Sequence, residues 1–381
     1  MHPVDMIFFW ARSNPEHPAF IQPDMIVTYR ELAEAIESVS ERIAHYDFNK
    51  KETVAVSIDQ PIKKLAVCFA LLRRGISVAL VNQRTLPHLR TSGINDVIYT
   101  GEGLMLSGGR NIRFEDSWFK ARDGASVLRS AVPESAAEQA NVIFFISGDA
   151  GIPKKMIVPS DALMAGVGTL PLTGEADCDK ILIVASVNSP SGFDRAALTL
   201  YSGKTVCFAG NYDAQLLLIN AFDVDTLDCS MQQASDLVSM LEKNSEYRLE
   251  SLEEVWIDGG SFTKDLIGRI QTRLCRNVIT GYSSVEAGCI GFANFDMIAG
   301  VPDAIGFVGP HVNVEIVDDD DVPLAVGEEG RVRCRSEYFS RVFAANNPVR
   351  VDEAGNAWCY PGDYGRLTGD GIICISRART G

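Results

Sequence analysis

Positive charge is scarce in this chain of 381 residues. Its 35 lysines and arginines stand against 50 aspartates and glutamates, a net charge of −15. A surface that acidic argues against nucleic acid or an anionic membrane as a partner. Long apolar runs are missing too. The longest near the front, "LAVCFALL" at 65–72, falls far short of the ~20 residues of a membrane span. The N-terminus, "MHPVDMIFFWARSNPEH", lacks a basic leader and a cleavage site, so a cytoplasmic protein is expected. The five histidines are scattered without metal-ligand spacing. No G-x-G-x-x-G follows the first strands, which excludes a dinucleotide-binding dehydrogenase. None of the nine cysteines (68, 178, 207, 229, 275, 289, 334, 359, 374) forms a C-x-x-C pair, and most sit in apolar runs, as buried reduced thiols do.

What is present is globular: 46% hydrophobic and 22% charged residues, in a chain long enough for two or three packed units. "VTYRELAEAIESVSERIAHY" carries apolar residues at 32, 36, 39 and 43 and predicts an amphipathic helix opened by Thr28. A strand at 53–59, a helix at 61–75 ended by Gly75, and strands at 77–82 and 96–101 follow. Strands alternating with helices indicate a parallel sheet. The alternation resumes at "KILIVASV" and runs through "NVITGYSS", a second α/β unit. After about residue 300 the helices stop, and "HVNVEIVD", "GRVRCRS" and "GIICISR" alternate with turn residues, as in a small antiparallel β unit. The one dense acidic run, "DDDD" at 318–321, reads as a solvated turn between two strands.

Three stretches carry chemistry. In "ISGDAGIPKK", Gly148 and Gly151 let backbone N–H groups turn toward an anion, and Lys154 supplies a point charge. The spacing is not that of a Walker P-loop. Asp149, a negative charge, sits in the middle, and a plain surface turn accounts for the stretch equally well. In "NVITGYSSVEAG", Tyr282 and Glu286 pair an aromatic ring with a carboxylate, suited to stacking on a base and holding magnesium. A buried tyrosine and a surface glutamate fit as well. In "PGDYGRLT", Asp363 sits on a Gly-flanked turn and can accept two hydroxyls, as from a ribose, or simply form the turn.

In this order, the three resemble the AMP-forming adenylating enzymes: acyl-CoA synthetases, firefly-type luciferases and the adenylation domains of peptide synthetases. That family's phosphate loop, roughly T-S-G-T-T-G-x-P-K-G, is similar to residues 146–155. Its Y-G-x-T-E is similar to Tyr282–Glu286, its T-G-D to Pro361–Asp363, and its G-R to Ser376–Arg377. The resemblance implies a fold of two doubly wound α/β subdomains plus a small β-barrel-like subdomain: 1–160 ending in the phosphate loop, 161–305, and 306–375. Residues 376–381 would begin the hinge, with the family's C-terminal domain absent.

It also implies roles. Ser147, Gly148, Asp149, Gly151 and Lys154 would wrap the departing phosphates. Tyr282, with Ser283 beside it, would stack on adenine. Gly259 and Gly260 would line adenine and the acyl pocket. Asp363 would bind the ribose, with Arg377 nearby. Glu286 would hold Mg2+, and Lys154 and Glu286 would be the catalytic pair. The expected reaction joins a small carboxylic acid to ATP, with CoA as thiol acceptor, in a chain able to form a homodimer.

The departures matter. Asp149 and Ala150 replace hydroxyl donors, and Val285, Pro361 and Lys155 replace Thr, Thr and Gly. "VNSPSGF" carries Asn188 or Ser189 where a histidine is common. A carboxylate ~5 Å from a phosphate charge, at an effective dielectric of ~20, costs roughly 3 kcal/mol. That is about two decades of affinity. The alternative reading is therefore a catalytically weakened relative that binds AMP or an acyl ligand without efficient turnover.

Overall fold

A computed structural model of the chain describes residues 2–48, 52–101, 106, 108–119, 140–146, 153–160, 162, 178–243, 247, 249–259, 262–284, 287–336, 350–351 and 356–377. It divides into two compact units, one of residues 1–164 with 186–206, the other of 165–185 with 207–381.

The first unit opens with α1 (Asp5–Ser13) and the antiparallel hairpin β1 (Pro18–Gln22) and β2 (Met25–Thr28). Next comes α2 (Tyr29–Ala44). Thr28 caps it: its hydroxyl accepts from the Glu31 N–H at 3.2 Å while the Glu31 carboxylate accepts from the Thr28 N–H at 2.8 Å. This reciprocal box satisfies two donors that a helix start otherwise leaves unpaired. Leu32, Ile36, Val39 and Ile43, the stripe read from the sequence, are all buried.

β3 (Thr53–Ser57), α3 (Pro61–Arg73), β4 (Ser77–Leu80), β5 (Asp96–Tyr99), β6 (Asn111–Arg113), β7 (Asn141–Ile146) and β8 (Lys154–Pro159) build a sheet of order β6-β5-β3-β4-β7-β8. Its pairings are parallel except for the antiparallel β7·β8 hairpin. Pro61 at the first turn and Gly75 at φ +76° bracket α3 as its sequence predicts.

β9 (Lys180–Ile183) belongs to the second unit, and the chain then returns to the first for α4 (Pro190–Tyr201) and β10 (Thr205–Cys207), which lies beside β1. Here the backbone approaches Trp10 closely. The Trp10 indole donates to the Tyr201 carbonyl at 2.9 Å. A Cβ on Gly203, whose φ is +80°, would stand 2.5 Å from the Trp10 ring. Only glycine fits.

The second unit continues through α5 (Tyr212–Phe222), β11 (Thr226–Ser230), α6 (Met231–Lys243), β12 (Glu254–Asp258), α7 (Lys264–Arg273), β13 (Val278–Ser284), β14 (Gly288–Asn294), α8 (Phe295–Ile298) and β15 (Ala304–Val308). β16 (Val312–Val317), β17 (Gly330–Ser336), β18 (Arg350–Val351), β19 (Ala357–Trp358), β20 (Tyr364–Leu367) and β21 (Ile372–Arg377) complete it. β9, β11, β12 and β13 are parallel neighbours, β14 reverses direction, and β15, β21, β20, β17 and β16 carry the same sheet onward. The α/β class is as expected. Of the strands after residue 300, β15, β16, β17, β20 and β21 extend this sheet while β18 and β19 pair separately, and no closed barrel forms among the described residues.

The acidic run makes the expected turn between β16 and β17. Asp318 Oδ1 accepts from the N–H groups of Asp320 and Val322 at 2.9 Å each. Seven cysteines are buried, Cys178 and Cys289 are half-buried, and none is in a disulfide. Among the described residues no helix is long and apolar enough to cross a membrane.

Candidate functional site

Parallel strands leave their carboxyl ends, and the loops that follow, as the natural place for a ligand. In the second unit β12 and β13 end side by side, with Asp258 opposite Gly281. Gly259 follows at φ +75°, its N–H reaching the Gly281 carbonyl at 3.4 Å, and a Cβ on it would meet nothing within 4 Å. The backbone of Gly259 thus borders open space.

Tyr282 is the next residue on β13. There the ladder with β14 slips by a bulge: Tyr282 faces Gly291 but Ser283 faces Cys289. Such a bulge re-aims the side chains around it. The Tyr282 ring is buried, 6% exposed, in a cluster with Ile290, Ile305, Val332, Cys334 and Cys359. Its hydroxyl emerges to donate to Asp363 Oδ2 at 2.6 Å. Burial, then this bond to a carboxylate, pushes the phenol pKa far above its ordinary value, so Tyr282 remains a donor.

Asp363 is held by its own turn. Gly362 takes φ +97°, and the Asp363 carbonyl accepts from the Val332 N–H at 3.0 Å. The β20·β21 register sets Arg377 across from Tyr364, the residue after Asp363. Tyr282, Ser283, Asp363, Gly259 and the backbone of Arg377 are thus all carried by one end of one unit. Ser284 Oγ accepts from the Ala287 N–H at 2.9 Å and anchors the end of β13. Glu286 and Gly260 lie outside the described residues, as does the Arg377 side chain.

The phosphate-loop stretch belongs to the first unit. The β7·β8 hairpin pairs Ile146 with Lys154 and Phe145 with Lys155. Lys154 is exposed at the start of β8. Ser147, Gly148, Asp149 and Gly151 lie outside the described residues.

The chain belongs to the AMP-binding enzyme family. The family model matches residues 7–343, most of the chain. Among curated relatives, phosphinothricin tripeptide synthetase PhsC of Streptomyces viridochromogenes is 23% identical over 90% of this chain. 2-Succinylbenzoate–CoA ligase of Bacillus subtilis is 21% identical over 97% of it. The chain spans 32% of the length of the first and 76% of the second. The crystal structure of VinN superposes with a TM-score of 0.83 at 17% identity, covering 99% of each chain. That likeness is one of fold.

One polar cluster escaped the sequence reading. Lys64, in α3, is 3% exposed. Its Nζ donates to the Val81 carbonyl at 3.0 Å and to Asn188 Oδ1. The Asn188 amide in turn donates to Ser186 Oγ at 3.2 Å. Burial lowers the Lys64 pKa to about 8, against the opposing influence of Cys68 and Asp59. Lys64 therefore ties the carboxyl end of β4 to the turn that enters α4.

Proposed function

We propose that this chain binds ATP at the carboxyl ends of β12 and β13 and uses it to adenylate a small carboxylic acid, releasing pyrophosphate. The observation that carries the reading is the Tyr282–Asp363 hydrogen bond. It joins two motifs 81 positions apart at a strand end, where a nucleoside fits the chemistry: an aromatic ring, a carboxylate and the open backbone of Gly259.

Each residue has a physical task. A carboxylate has several lone pairs, so Asp363 can accept ribose hydroxyls while keeping the Tyr282 proton. Adenine would lie against Tyr282, beside the open backbone of Gly259. By the resemblance of its motif alone, Lys154 is the residue expected to supply positive charge to phosphates. Mg2+, when bound, neutralises phosphate charge, and Glu286 is the residue that would hold it. The substrate carboxylate oxygen attacks the α-phosphorus as the bond to pyrophosphate breaks. Such in-line displacement depends mainly on positioning and charge neutralisation. A thiol, with CoA as the expected one, then takes the acyl group and AMP leaves. Membership in the AMP-binding family supports adenylation, and the 2-succinylbenzoate–CoA ligase relative supports thiol transfer.

Asp149, Ala150 and Val285 favour a second reading, in which AMP or an acyl-adenylate binds but ATP is used poorly. Calorimetric titration with ATP–Mg2+, AMP and a non-hydrolysable acyl-adenylate mimic separates the two. Binding of all three supports the ligase. Binding of AMP and the mimic alone supports the weakened relative. Binding of none removes the nucleotide site.

A further inference from the structure

Behind the Tyr282–Asp363 pair lie two thiols. Cys334 on β17 and Cys359, just after β19, form an antiparallel bridge. Each donates its N–H to the other's carbonyl, at 2.9 Å from Cys334 and 2.8 Å from Cys359. Residues that exchange both bonds lie directly opposite, with Cα atoms about 5.5 Å apart. A disulfide spans Cα separations of about 4.4–6.8 Å. Both side chains belong to the buried cluster that contains Tyr282, so they point to the same face of the pair. Both also lie within electrostatic reach of the Tyr282 hydroxyl. Other cysteines in the described ladders face unlike residues: Cys229 faces Ile257, Cys289 faces Ser283 and Cys374 faces Ala304.

We propose that Cys334 and Cys359 form a redox modification site, joined by a reversible cross-strand disulfide when a small hydroperoxide is the oxidant. Cys359, 6% exposed against 0% for Cys334, is the thiol that the oxidant meets. Its sulfur attacks a peroxide oxygen, the O–O bond breaks, and the leaving hydroxide takes the thiol proton as water. Cys334 then attacks the resulting sulfenic sulfur, the S–O bond breaks, and a second water leaves with the Cys334 proton. Two thiols lose two protons and two electrons, and one hydrogen peroxide becomes two waters. Both thiols are buried, so the site admits an oxidant of this size and not a bulky disulfide.

The test needs no nucleotide, so it stands or falls apart from the proposed activity. The full chain is treated with stoichiometric hydrogen peroxide, denatured, alkylated and analysed by mass spectrometry after non-tryptic digestion. The expected result is the loss of two alkylatable thiols, a linked peptide pair containing Cys334 and Cys359, and recovery with dithiothreitol. Cys334→Ala and Cys359→Ala should each lose the link. Full alkylation of all nine cysteines, overoxidation to sulfinic acid, or a link confined to Cys178 and Cys275, which also lie within electrostatic reach of each other, would overturn the proposal.

Discussion

The hydroxyl of Tyr282 donates to the carboxylate of Asp363 at 2.6 Å and joins the end of β13 to the turn before β20. A hydrogen bond to a charged acceptor contributes about 1.5–3 kcal/mol. Tyr282→Phe keeps the ring and deletes this bond. Denaturant unfolding should show a stability loss within that range. A loss below ~0.5 kcal/mol would mean that the pair does not hold the site together.

Asp149→Thr should restore a hydroxyl donor and remove a negative charge from the stretch "ISGDAGIPKK". Titration should show ATP–Mg2+ binding strengthened by up to about two decades, from the roughly 3 kcal/mol of repulsion removed. AMP binding should be unchanged, since AMP carries no departing phosphates. Equal affinity for ATP in both proteins would mean that the acid points away from them.

Lys64 makes stability depend on pH in the alkaline range. Its folded pKa is lowered to about 8 from 10.5. Between those values the unfolded chain binds more protons than the folded one, so stability rises with pH, by about 3 kcal/mol across the window at 1.36 kcal/mol per pKa unit. Below it, both states are protonated, and the cost of the buried charge is fully present. Lys64→Met should flatten this rise when unfolding free energies at pH 8 and pH 10.5 are compared with those of the parent. An unchanged slope would refute the buried, charge-bearing lysine.

Gly203→Ala should destabilise the first unit. It places a methyl 2.5 Å from Trp10 at a φ of +80°. Strain in the left-handed region and overpacking each cost on the order of 1–3 kcal/mol. Thermal unfolding checks this. A silent substitution would show that Trp10 moves aside readily.

Local elements were legible because local patterns specify them. Thr28 signalled the start of α2, and the strand read at 53–59 contains β3. Hairpin β1·β2 was not read, since its strands are only five and four residues long and alternate weakly. Pairing between distant segments was beyond any periodicity. The resemblance assigned Tyr282 and Asp363 to one ligand, but their direct bond depends on how β13 and the turn before β20 meet. Lys64 was hidden by its neighbour. Lys63 pairs with Asp116 at 2.6 Å on the surface, and one further step around the helix turns Lys64 into the core. The "VNSPSGF" stretch was noted for the missing histidine, while the partner of Asn188 was invisible.

The central claim is that a nucleoside binds where Asp363 and Tyr282 meet. Calorimetric titration of AMP into the parent chain and into Asp363→Ala tests it most directly. The account predicts saturable binding to the parent and at least a ~10-fold loss in the variant, the equivalent of about 1.4 kcal/mol. Equal AMP affinity in the two proteins, or no binding to the parent, would contradict it.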